Sequence, residues 1–491
     1  MRVLTRLLCL CLCCIATNIY GQDPFEEFKK AKEQEFAKFK SKVNEEYQKM
    51  RQKIDLEYSN MVKKSWQEYN SVVGVEVPKE QPVKPIEYDK QRQTPTINKL
   101  PIKEEKIIEE RRVKAPDPIV PIEPIKTPER ETINQFGIDF YGLALSFDLG
   151  SEHRFTLNDI SENSIAKAWK ALSNDKYSNV IKSCIHYRDE HKLCDWAYIQ
   201  MLNELATAFF GKQCNESTLL AAYLYAQSGY KMRLAKSNET LYMLYASKYI
   251  IYSKNYWTID GEMYYMYGNG ANRINICKAN FPKEQPLSMQ INHSQSFAKK
   301  DSKQIHLTGT GVSAGIYINE NLINFYKNYP CSGNKDEKWS TYANTPMSKE
   351  VKAHLYPALK ESISGKSETE AANLLLHFVQ TAFEYEYDDK LWGGDRVFFA
   401  EETLYYKYSD CEDRSILFAH LIKDLLGLDV VLLYYPGHLA TAVKFTNYSK
   451  GDYLNVGGNR YTVCDPTYIN APIGKSMPQF VNSSATVIRL K

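Results

Sequence analysis

The tightest constraint on the fold lies in residues 408–465, where a helix with both ends marked is followed by three strand patterns. In Tyr408-Ser-Asp-Cys-Glu-Asp-Arg-Ser-Ile-Leu-Phe-Ala-His-Leu-Ile-Lys-Asp-Leu-Leu-Gly427, Ser409 or Asp410 can cap the helix. Glu412 and Asp413 fall in the first turn, and Gly427 supplies the stop. Ile416, Leu417, His420, Leu421 and Asp424 or Leu425 share one face, which predicts burial, His420 as a core histidine included. Val430-Val-Leu-Leu-Tyr-Tyr435 then reads as an apolar strand, and Pro436-Gly437 turns the chain into a second, His438-Leu-Ala-Thr-Ala-Val-Lys-Phe445. A Gly457-Gly458 hairpin leads to a third, Arg460-Tyr-Thr-Val-Cys-Asp465.

This order sets Cys411 at a helix N-terminus, His438 at a strand start and Asp465 at a strand end. Unpaired amides and the helix dipole favour a thiolate at Cys411, whereas Glu412 and Asp413 disfavour it. A nearby base has to tip that balance. His438 can supply the base, and Asp465 can fix its tautomer. Taken singly, a small core thiol, a surface imidazole and a turn aspartate are the plainer readings; in this order on these elements they point to a nucleophile–base–carboxylate set.

Three blocks, Asp410-Cys411-Glu-Asp-Arg-Ser-Ile-Leu, Pro436-Gly437-His438-Leu-Ala-Thr-Ala-Val and Val463-Cys464-Asp465-Pro-Thr-Tyr, resemble the signatures of the transglutaminase-like superfamily. The likeness covers about residues 365–475. It implies a papain-like α+β core, with a cysteine-bearing helix packed on an antiparallel sheet. It further implies Cys411 as nucleophile, His438 as general base and acid, and Asp465 as orienting carboxylate. Ser409 stands where the family usually has glycine. For the upstream group that helps hold the oxyanion, Trp392, Tyr405 and Tyr406 are candidates. The expected chemistry is attack on an amide bond through a thioester, with no cofactor and no metal. Hydrolysis, as in a peptidase or amidase, needs no second binding site and is preferred to amine-transferring cross-linking. A protein, peptide or cell-wall peptide is the expected substrate. The rival is a surface or assembly scaffold with a vestigial site.

The rest of the chain frames this domain, residues 346–491. Residues 1–21 carry Arg2 and Arg6, an apolar run from Leu7 to Ile15 and cleavage near Gly21, which marks a secretory signal and an exported, periplasmic or cell-surface protein. No later stretch has 18 uninterrupted apolar residues, so no transmembrane segment is expected. The net charge of +3 gives no argument for nucleic acid. Of 11 cysteines, seven follow the signal, an odd count that leaves a thiol unpaired.

Residues 22–73 are expected to form one amphipathic helix. Phe25, Phe36, Tyr47, Tyr58 and Tyr69 recur every 11 residues, a period close to a straight helix and suited to self-association or docking. Residues 74–133, rich in proline, lysine and glutamate, are expected to be an extended, poorly packed spacer. Residues 134–270 look like a degenerate copy of the catalytic unit: at an offset of 197, Cys214 pairs with Cys411, Leu220 with Leu417 and Leu224 with Leu421. Thr240, at an offset one larger, stands in that copy for His438, and Gly268 stands for Asp465, which leaves a thiol without a base. Residues 271–345 are expected to be a β-rich bridge, with Asn321-Leu-Ile-Asn-Phe-Tyr326 its clearest strand. Cys184, His186, His191 and Cys194 have zinc-capable side chains, but His186 points off their common helical face. Gly309-x-Gly311 is followed by a strand and so lacks the context of a dinucleotide loop. Ser367–Glu370 fits a capping box ahead of an apolar helix.

Overall fold

The structure is a computed structural model that describes residues 24–77, 82–91, 97–107, 113–120, 135–333, 338–447 and 449–491. The expected signal segment lies outside the described residues. The fold is mixed α+β with antiparallel sheets. Among the described residues, no helix is long and apolar enough to cross a membrane.

The chain opens with a 39-residue helix, α1 (Pro24–Val62). Its 11-residue stripe divides in two. Tyr58 and Val62 are fully buried, and Tyr58 stacks on Phe281 at 4.2 Å, whereas Phe28, Phe36 and Phe39 are exposed. The expected single helix over 22–73 is corrected here. It ends at Val62, and Trp66–Asn70 forms strand β1. These aromatic-containing residues gain more by pairing with an open sheet edge than by prolonging a helix.

The Pro-rich segment is also corrected in its described parts. It is not a loose spacer but a strap fastened to the body. Strand β2 (Ile102–Lys106) completes a sheet, Leu100 is buried, and Val83, Ile86 and Tyr88 pack on the same apolar cluster. A proline-containing segment can lie along a sheet or loop by giving up only some donors, and charged residues keep its outer side wet.

A hairpin, β3 (Gln135–Phe140) with β4 (Leu143–Asp148), precedes four helices: α2 (Glu162–Leu172), α3 (Tyr177–Glu190), α4 (Asp195–Phe210) and α5 (Asn215–Gln227). Five strands follow: β5 (Met232–Ser237), β6 (Thr240–Ser247), β7 (Tyr256–Ile259), β8 (Glu262–Met266) and β9 (Arg273–Cys277). The connecting region holds a hairpin of β10 (Ile305–Gly309) and β11 (Val312–Ile316), with Gly311 at φ 75° in its turn, then α6 (Glu320–Lys327) and α7 (Lys338–Asn344). Residues 321–326 are thus helical, against the expected strand. Asn319 caps the helix, and Leu322, Ile323, Phe325 and Tyr326 bury one 3.6-residue face. The bridge is therefore less β-rich than its composition indicated, and β9 belongs to the preceding sheet.

The C-terminal lobe contains α8 (Lys349–Ile363), α9 (Glu368–Ala382), β12 (Glu384–Tyr385), α10 (Asp388–Trp392), α11 (Ala400–Tyr405), β13 (Tyr408–Ser409) and α12 (Cys411–Leu426). Its sheet is β14 (Asp429–Tyr435), β15 (His438–Lys444), β16 (Tyr453–Val456), β17 (Asn459–Cys464) and β18 (Ala485–Arg489). Ser367 and Glu370 form the expected capping box on α9.

The two six-stranded sheets have one and the same plan. Their orders are β7-β8-β6-β5-β9-β1 and β16-β17-β15-β14-β18-β2. In each, a strand from the N-terminal segment closes one edge, antiparallel in the first sheet and parallel in the second. α4 packs on α5, which lies over β6; α9 packs on α12, which lies over β15. The register agrees as well, since Ser237↔Thr240 matches Tyr435↔His438 across the hairpin turn. The C-terminal lobe inserts residues 383–410 between its two packed helices, where the first lobe has a short turn. One apolar core runs through both lobes, and Tyr326 stacks on Phe399 at 4.1 Å within it.

Candidate functional site

α12 positions the site because its N-terminus is locked. Asp410 is the cap: its carboxylate accepts from the Glu412 and Asp413 amides at 3.2 and 3.4 Å, and Asp413 accepts in return from the Asp410 amide. Gly427 ends the helix in the left-handed region at φ 68°. Ile416, Leu417, Leu421 and Ile422 are fully buried, and each such side chain contributes about 1.5–3 kcal/mol of apolar burial. Arg414, also buried, donates to Ser409 Oγ and to the Gln380 and Phe383 carbonyls, so the loop entering α12 is held from within. Ser415 Oγ donates to the Leu439 carbonyl at 2.8 Å and ties the helix to β15.

Cys411 and His438 line a single cavity of about 20 Å3 together with Pro82, Lys338, Trp339, Asp395, Glu412, Tyr434, Gly437 and Leu439. That space holds about one water molecule. The Leu439 amide, next to His438, lies against the thiol. His438 Nε2 pairs with Asp465 Oδ2 at 2.8 Å, and both side chains are buried. With Nε2–H donated to the carboxylate, Nδ1 carries the lone pair, and it is buried with no hydrogen-bond partner. The ring stacks on Phe480 at 5.0 Å and 5°, which fixes its plane. Asp465 is held in turn: Oδ1 accepts from the Thr467 and Tyr468 amides at 2.9 and 3.3 Å. The structure thus brings Cys411, His438 and Asp465 to one place from three separate elements.

Charge around the thiol is arranged against ionisation. Cys411 Sγ donates to Glu412 Oε2 at 3.2 Å, and burial, then Glu412 and Asp410, push its pKa well above the usual thiol value. Burial also raises Glu412, helped by Asp395 and opposed by Lys338. Lys338, itself buried, pairs with Asp395 at 3.0 Å. Asp388 is pushed up to about 8 by burial and by Glu412. Asp388, Asp395 and Glu412 bring carboxylate oxygens within 4.8 Å of one another, and Lys338 pairs with one of the three.

The expected oxyanion residues lie elsewhere. Trp392 packs against Tyr406 and Phe398 at 5.0 and 5.7 Å, with the Arg396 guanidinium over its face, and Tyr405 packs on Tyr406. None of the three lines the cavity. The cavity aromatic is Trp339 from α7, buried, packed on Tyr434 at 4.8 Å, with its indole N–H unpartnered. Its distance from Cys411 in sequence left no local signal. Gln380 was missed too. From α9 its amide nitrogen donates to the Asp465, Tyr468 and Ala471 carbonyls at 3.0, 2.8 and 3.1 Å, which pins the loop carrying Asp465. Burial inside an apolar helix was its only sequence signal.

In the first lobe, Cys214, Thr240 and Gly268 line a common cavity of about 520 Å3. Cys214 is the cap of α5, accepting from the Ser217 amide, one place earlier on its helix than Cys411. His420 is a core side chain lowered to about 4 by burial. The zinc-capable residues do not converge: Cys184 is buried in the core, His186 pairs with Glu190, and Cys194 caps α4. The seven cysteines among the described residues are free thiols.

Comparison with family models, with curated proteins and with solved structures returned no match.

Proposed function

We propose that the C-terminal lobe is a transglutaminase-like thiol enzyme with a papain-like core, acting on amide bonds and most simply a peptidase or amidase. The observation that carries this reading is His438, paired with Asp465 at 2.8 Å, lining one cavity with Cys411 while its Nδ1 stays unpartnered. In the proposed cycle, Nδ1 takes the thiol proton as Sγ attacks the amide carbonyl, and the amine leaves with that proton. Water then hydrolyses the thioester by the reverse proton path. Asp465 keeps the proton on Nε2 and stabilises the imidazolium. The orphaned Trp339 indole N–H is the donor suited to the oxyanion. The raised thiol pKa makes proton transfer part of the attack, in place of a preformed thiolate.

The test compares wild type, Cys411→Ala and His438→Ala against a library of peptides and cell-wall peptide fragments, with mass spectrometry of the products. In parallel, Cys411 alkylation by iodoacetamide is followed across pH. The reading requires cleavage lost in both variants and slower alkylation near neutral pH in His438→Ala. Alkylation indifferent to His438 would overturn it.

A further inference from the structure

The chain itself walls part of the cavity shared by Cys411 and His438. Pro82 forms part of its wall, and the residues after it run as an extended strap along the loops that carry His438 and Asp465. The Val83 amide donates to the carbonyl of Gly437, the residue before His438, at 2.9 Å. Tyr385 Oη donates to the Val83 carbonyl at 3.4 Å. Beyond Asp465, Ile469 exchanges two main-chain bonds with the strap, its amide to the Ile86 carbonyl at 3.0 Å and its carbonyl from the Tyr88 amide at 2.9 Å. The Tyr88 ring meets Tyr468 edge-on at 5.6 Å, and Asn470 Nδ2 donates to Glu87 at 3.1 Å.

Most of these bonds are main chain to main chain, the way a groove holds an extended peptide through its backbone while side pockets read alternate residues. The equivalent position in the first lobe, with no such strap residue among its lining, is a cavity of about 520 Å3 against about 20 Å3 here. We propose that the strap, residues 82–88, occupies the substrate groove, which therefore takes extended polypeptide and is held shut until the strap is displaced. The proposal rests on the triad reading for what the groove serves, but the occupancy itself does not depend on catalysis.

The experiment measures the second-order rate of Cys411 alkylation by iodoacetamide in the full chain, with alkylation of buried Cys464 as the monitor of folding. Val83→Pro deletes the donor to Gly437, and Val83→Pro with Tyr88→Ala also removes the ring contact. The expected result is at least a threefold faster Cys411 reaction in the single variant and at least tenfold in the double, with Cys464 unchanged. A synthetic peptide of residues 82–91 added to the double variant restores slow labelling, and a scrambled peptide does not. Cys411 rates equal to wild type in both variants overturn the proposal, as does faster labelling that the peptide fails to slow. If the variants do accelerate labelling while His438→Ala leaves its pH dependence untouched, the strap stands and the triad falls.

Discussion

Replacing Glu412 with Gln tests the electrostatics of the site without touching the three proposed reacting groups. The Glu412 carboxylate accepts the Cys411 proton at 3.2 Å. A full charge at that distance, with an effective dielectric of 20, interacts with a thiolate by about 5 kcal/mol, equivalent to about four pH units. Two features reduce this. Lys338 partly neutralises Glu412, and burial raises the Glu412 carboxyl itself, which favours its neutral form. We therefore expect the midpoint of the Cys411 alkylation profile to fall by about two pH units in Glu412→Gln. The midpoint, rather than the rate, is the readout, because strap occupancy scales the rate at every pH and divides out. A midpoint that moves by less than about half a unit, in a variant with unchanged circular dichroism, would refute the claim that Glu412 keeps the thiol protonated.

Four further outcomes are expected. Trp339→Phe keeps the packing on Tyr434 but removes the indole donor, so amide cleavage should fall by roughly 10²–10³ in kcat with little change in Cys411 alkylation. Gln380→Leu removes the side-chain donor shared by the Asp465, Tyr468 and Ala471 carbonyls, of which the first two keep a main-chain amide, and should cost about 1–3 kcal/mol in denaturant unfolding. Asp55, on the docked face of α1, is pushed up by burial from 3.8 to about 6, despite bonds from Trp169 and Gln227. A raised carboxyl contributes stability that is full below its unfolded value and is lost as pH rises through its folded one. Asp55→Asn should therefore gain in Tm over wild type between pH 4 and 7 and then level off, at an upper limit of about 3 kcal/mol. Finally, Phe28→Lys with Phe36→Lys and Phe39→Lys should abolish any concentration-dependent shift of the full chain in size-exclusion chromatography, because the stripe beyond Tyr58 is the part not docked on the body.

What could be read in advance was local. Asp410, Gly427, Ser367 and Glu370 act within one helical turn, so their roles follow from spacing alone. The Cys411, His438 and Asp465 positions were legible because each sits at an element boundary that punctuation residues mark. Trp339 was not, since it reaches the cavity from a helix 72 residues upstream of Cys411, and nothing in its neighbours indicates that face. The strap was misread for a different reason. Proline, lysine and glutamate suit an unattached linker and an edge-bound segment equally, and the bonds that choose between them are main-chain bonds with no side-chain signature. Residues 321–326 read as a strand because Leu-Ile-x-Phe-Tyr is apolar on either period, and the Asn319 cap decided for helix. The 11-residue period ran on through Tyr69 although the helix had already given way to an edge strand at Trp66.

The pairing of β2 with β18 sets a timetable for biosynthesis. Ile102 sits opposite Ala485, so the ribosome must add some 383 residues before β2 can meet the strand it pairs with. At roughly 5–20 residues per second that is a delay of about 20–80 s, during which residues 102–106 have no strand to pair with. A nascent chain stalled in that interval is the species most prone to aggregate, and a chaperone acting on residues 97–107 would protect the sheet better than one acting on the finished lobe.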